Sequence, residues 1–66
     1  MNYMKKITRQ EYDKLSPKTQ GYISYMQGAW NEGIPDLCHY PRDSKKALAW
    51  YEGMRIGILE SQDSDE

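Results

Sequence analysis

The sequence has no phenylalanine and a single cysteine, Cys38. One cysteine cannot close a disulfide within the chain, and its use fits a reducing compartment better than a secreted scaffold. Also missing is a long apolar run: no stretch approaches the roughly 18 to 20 residues that cross a bilayer. The N-terminus carries Lys5 and Lys6 but lacks the apolar segment of a signal peptide. A soluble, cytoplasmic protein without membrane contact is expected. Histidine is as scarce as cysteine, and His39 directly follows Cys38. Two adjacent candidate ligands fall short of the four that a structural zinc site needs. No orienting group or oxyanion site accompanies the pair for nucleophilic catalysis. No glycine-rich phosphate loop is present either, since Gly53 and Gly57 fall within an expected helix. No catalytic residue, metal ligand or cofactor is therefore assigned, and a non-enzymatic protein is expected.

What the chain does contain is a helical pattern with tyrosine and tryptophan as its large side chains. Its 66 residues make one small domain, expected over 1–60. A chain this short buries only about 60% of the surface its unfolded form exposes. Such scaffolds commonly gain stability from a second copy or a partner. Six tyrosines and two tryptophans give bulky groups with a polar edge, suited to interfaces as well as to cores. The formal charge of −1 hides an uneven distribution. Lys5, Lys6, Arg9, Lys14 and Lys18 outnumber the acids of the first twenty positions, and Arg42, Lys45, Lys46 and Arg55 outnumber those of 42–59. Glu60, Asp63, Asp65 and Glu66 close the chain. Residues 61–66 have no apolar anchor and are expected to form an acidic disordered tail.

The expected fold is all-α: a short N-terminal helix, then two longer antiparallel helices joined by an ordered, proline-containing linker. After a ragged start over 1–7, Thr8-Arg9-Gln10-Glu11 has the form of a capping box opening a helix from Arg9 to Leu15, with Ile7 as its staple. Ser16-Pro17 starts the second helix, expected to reach Glu32 and to bury Thr19, Tyr22, Ile23, Met26, Ala29 and Trp30. Gly33 is placed for a left-handed cap and Pro35 against resumption. The third helix, from Ser44 to Leu59 behind an Asp43-Ser44 cap, presents Ala47, Leu48, Tyr51, Met54 and Ile58, with Trp50 on the flank. Ala49, Gly53 and Gly57 line up four apart, as a seat for Trp30 or a contact between subunits. The latter two cost roughly 1 kcal/mol each relative to alanine, so close packing should offset them.

Tyr25-x-x-Gly28, the turn Cys38-x-Tyr40 and the helix motif Trp50-x-x-Gly53 followed by a large residue resemble the ribosome modulation factor family of small two-helix bacterial proteins. The resemblance spans Gly21 to Glu60. In that family the turn reads Cys-Pro-Tyr and the helix Trp-x-x-Gly-Trp, whereas His39 and Met54 stand here at the variable positions. The resemblance implies a helix-linker-helix fold and a regulator that binds the small ribosomal subunit and its RNA, repressing translation.

Two kinds of surface follow. Arg42, Lys45 and Lys46 beside Tyr40 have the makings of a nucleic-acid face, since basic contacts plus aromatic stacking hold single-stranded RNA; an ordinary solvated face is the competing reading. Tyr25, Trp50, Gly53 and Gly57 are candidates for a protein interface, either in a homodimer or against a host protein, while aromatic residues at helical spacing equally suit a core. The competing function is thus a small dimeric interaction module or inhibitor, of phage or mobile-element type.

Overall fold

The structure is a computed structural model that describes residues 5–63. It is all-helical, with α1 Arg9–Asp13, α2 Pro17–Gln27 and α3 Lys45–Asp63. Each start follows from local chemistry. The Thr8 hydroxyl accepts from the Glu11 N–H, and the Glu11 carboxylate accepts from the Thr8 N–H at 3.0 Å, which completes a reciprocal capping box. Ser16 caps α2 by accepting from the Thr19 N–H, with Pro17 in the first turn. At α3 the cap is Ser44 alone, whose hydroxyl accepts from the Ala47 N–H and donates to the Pro41 carbonyl.

The ends differ from expectation. Helix α2 stops at Gln27 with Gly28 as its C-cap, in right-handed conformation, and does not continue to Glu32. Gly28 lies against the backbone and Cβ of Asp36, so the connection crosses the helix end there, while tight turns reach Asn31 and Ile34. Gly33 is no left-handed cap, because no described glycine has positive φ. Helix α3 continues through Asp63, which takes 61–63 out of the expected tail; residues 64–66 lie outside the described range. The start is not ragged over 5–7 either, as shown below.

The contacts between α2 and α3 do not trace the expected antiparallel order. Gly53 lies against the backbone of Lys18 and Tyr22, and Gly57 against the side chains of Tyr22 and Tyr25. Rising numbers on one helix thus meet rising numbers on the other. The connection over 28–44 makes this feasible by running back along the pair: Tyr40 reaches Gln20 and His39 reaches Tyr12 before α3 begins. At the contact the backbones touch. A Cβ on Gly21 would overlap the Trp50 carbonyl, and one on Gly53 the Lys18 carbonyl, so only glycine permits the approach. The small-residue strip of α3 therefore seats α2 itself, and Trp30 remains exposed.

Tyr12, Ile23 and Ile34 form the apolar cluster, flanked by Ile7, Leu15 and Tyr22, with Ala47 and Trp50 also buried. The inward face of α2 is otherwise polar or bare: Gln20, Gly21, Ser24 and Gln27, continued by Asn31. Thr19, Ala29 and Trp30 from the expected stripe are exposed. On α3, Trp50 is not a flank residue but one of the most buried side chains, at 1% exposure, while Leu48 and Tyr51 face outward.

Candidate functional site

The buried polar groups are assembled into two knots. In the first, the Trp50 Nε1–H donates to the Tyr12 hydroxyl at 3.2 Å, and that hydroxyl also meets Ser24 Oγ at 2.9 Å and His39 Nε2 at 3.2 Å. Gln20 donates to the Tyr12 carbonyl and accepts from the Tyr40 hydroxyl. One tyrosine thereby links α1, α2, the connection and α3. In the second knot, Gln27 is fully buried. Its Oε1 accepts from the Ile7 N–H at 3.0 Å and from Asn31 Nδ2, and its Nε2 donates to the Lys5 carbonyl at 2.7 Å. Asn31 donates in turn to the Ile7 carbonyl. Two side-chain amides thus hold an extended segment by its backbone, as a neighbouring strand does. Among the described residues, no buried side-chain N or O atom lacks a partner.

These knots leave little for chemistry. Cys38 is half-buried, with Sγ 4.0 Å from the Tyr40 carbonyl, while His39 Nε2 meets the Tyr12 hydroxyl. Among the described residues no group of three His, Cys, Asp or Glu is placed to hold a metal ion. Among the described residues no helix is long and apolar enough to cross a membrane.

The four sequence-predicted nucleic-acid residues come together at the turn into α3. Arg42, Lys45 and Lys46 are exposed, and among the described residues none of them enters an ion pair, the single pair being Arg9 with Asp13. The Lys46 ammonium lies 5.8 Å from the Tyr40 ring centroid, and the His39 ring stacks beside the same tyrosine at 4.3 Å. Burial raises the Tyr40 phenol above its ordinary range, with the nearby Tyr12 and Cys38 adding to the effect, so the hydroxyl stays protonated and donates to Gln20. This end of the molecule is also where α2 begins, which adds Lys18 and, just before it, Lys14. Two helix N-termini with their partial positive charge share the end. Asp43 is the acid within the turn.

The predicted interface residues scatter. Tyr25 is partly exposed, whereas Trp50, Gly53 and Gly57 are buried within the chain, so their packing is spent on the α2–α3 contact. Sequence reasoning missed the exposed apolar groups that remain: Trp30, Leu37, Leu48, Tyr51 and Leu59. The signal for Leu48 was available only once Gly53 had been placed against Lys18 and Gly21 against Trp50, since that contact turns Leu48 outward.

No family model, curated protein or solved structure matches the chain. The likeness to ribosome modulation factors therefore rests on the short motifs alone.

Proposed function

We propose that the chain is a non-enzymatic, ribosome-modulation-factor-like regulator that binds the small ribosomal subunit through its RNA and represses translation. The observation that carries this reading is the exposed cluster of Arg42, Lys45 and Lys46 at the turn into α3, with the Lys46 ammonium over the Tyr40 ring. Cations without an ion pair among the described residues, beside a half-buried tyrosine ring, suit phosphate contact and base stacking. A net charge of −1 does not oppose it, because the acids at Glu60 and Asp63 sit at the far end of α3. Co-sedimentation with ribosomes at low and moderate salt tests the reading. Binding at low salt that the paired change Lys45→Glu, Lys46→Glu abolishes is expected; no binding at low salt overturns it, since phosphate contacts are strongest there.

A second reading, a dimeric protein-interaction module, is supported by a different observation. Among the described residues six large apolar side chains are exposed while five apolar residues are buried, an imbalance that a protein partner corrects. Capture of the chain on itself or on a host protein, undiminished by the lysine changes, is the result that favours this reading over the first.

A further inference from the structure

The outer side of α3 carries Leu48, Tyr51 and Leu59 at 66%, 53% and 50% exposure. Their steps of three, four and their multiples place them on one face, opposite the Ala47, Trp50, Gly53 and Gly57 strip that packs inside. Glu52 and Arg55 lie on the same outer face, and among the described residues neither has an ion-pair partner. The order is symmetric about the point between Gly53 and Met54. Leu48 and Leu59 are equally distant from it, and so are Glu52 and Arg55.

We infer that this face binds a second copy of the chain, with the two α3 helices antiparallel about a twofold axis at that point. Leu48 of each copy then meets Leu59 of the other, and Glu52 meets Arg55 twice. The axis makes the patch its own complement, which is the requirement for a closed dimer. An unrelated partner needs no such internal symmetry of apolar and charged positions. The basic first turn at Lys45 and Lys46 is brought toward the acidic last turns at Glu60 and Asp63 of the second copy, so the ends also attract. This inference rests on the dimeric reading above and deepens it: the seam is the outer α3 face, not Gly53 and Gly57.

Sedimentation equilibrium of the full chain over a concentration series tests it, with circular dichroism confirming that each variant stays helical. All the altered positions are exposed, so the fold is retained. The wild type self-associates. Glu52→Arg places arginine against arginine, Arg55→Glu places glutamate against glutamate, and each weakens association about tenfold or more. An equimolar mixture of the two variants regains association, because each new charge then faces its opposite. Leu48→Lys weakens association without a partner that rescues it. A wild type that stays monomeric through the high micromolar range overturns both this inference and the dimeric reading. Self-association that none of these changes affects overturns the α3 face alone, and failure of the mixture to recover overturns the antiparallel register.

Discussion

The Gln27 amide satisfies the backbone of the N-terminal segment at both Lys5 and Ile7. Replacing it with leucine keeps the volume roughly and strands the Ile7 N–H, the Lys5 carbonyl and one Asn31 donor. Each unsatisfied buried group costs about 1–3 kcal/mol, so Gln27→Leu is expected to lower stability by about 2 kcal/mol or more, read from the urea midpoint. Amide hydrogen exchange at Ile7 should accelerate beyond what the global loss explains, which separates detachment of the segment from general weakening. Tyr12→Phe acts at the other knot. It leaves the buried Trp50 Nε1–H without its acceptor, at a cost of about 1–3 kcal/mol by the same reasoning, again visible in the urea midpoint. These residues also show why the core was only partly legible. Hydrophobic periodicity finds apolar stripes, and it found Ile23. It passes over Gln20, Ser24, Gln27 and Asn31, whose burial becomes acceptable only when all their partners are in place.

At the scale of the helices, the caps were legible because they are written in local chemistry: Thr8 with Glu11, Ser16 with Pro17, Ser44 ahead of Ala47. The relation between α2 and α3 was not, because a glycine strip states that something approaches without stating what or in which direction. Three alanine substitutions now separate the cases. At Gly53 the new Cβ meets the Lys18 carbonyl, a backbone atom that cannot turn aside. The better helix propensity of alanine, about 1 kcal/mol, is outweighed by that overlap, and Gly53→Ala should be strongly destabilising or unfolded by circular dichroism. At Gly57 the nearest atom is Cδ2 of the Tyr25 ring at 2.9 Å, on a partly exposed side chain that can swing, so Gly57→Ala should be much milder. Gly33 has only ordinary contacts and no positive φ, and Gly33→Ala should stabilise by about 0.4–1 kcal/mol through the unfolded chain. The thermal midpoints should therefore rank Gly33→Ala above Gly57→Ala, and both above Gly53→Ala.

The same pair is held farther along by Tyr22, whose hydroxyl donates to Glu60 at 2.6 Å. That hydrogen bond, with burial and the carboxylate charge adding to it, raises the Tyr22 phenol above its ordinary range. A group with a raised folded pKa contributes stability that is present in full below its unfolded pKa and is lost as pH rises through the folded one. The linkage thus operates in the alkaline range, and the neutral range is unaffected by it. Glu60→Gln removes the charge and should bring the phenol down, so the tyrosinate absorbance of the variant appears at lower pH than in the wild type.

For the molecule as a whole, running α2 and α3 in the same sense at their contact brings Lys14 and Lys18 to the end that holds Arg42, Lys45 and Lys46, with Asp13 and Asp43 among them, and leaves Glu60 at the other, a distribution that a summed charge of −1 cannot reveal. The basic turn itself was legible, as residues close in sequence stay close in space; its enlargement by Lys14 and Lys18 depended on the helix direction and was not. Salt separates the two proposed activities. If Arg42, Lys45 and Lys46 each neutralise one phosphate, the logarithm of the RNA binding constant should fall against the logarithm of salt with a slope of roughly −2 to −3, at about 0.7–0.9 per contact. Lys46→Gln should reduce that slope by about one contact's share. Association through the outer face of α3 has an apolar centre at Leu48 and Leu59, with exposed ion pairs that are individually weak and screened. Raising salt should consequently weaken RNA binding steeply while changing self-association only slightly. Filter binding of small-subunit RNA and sedimentation equilibrium, run over one salt series, check both slopes. A flat RNA slope would mean that the basic end does not contact phosphate, and self-association falling as steeply as RNA binding would mean that charge, not the leucine seam, holds the copies together.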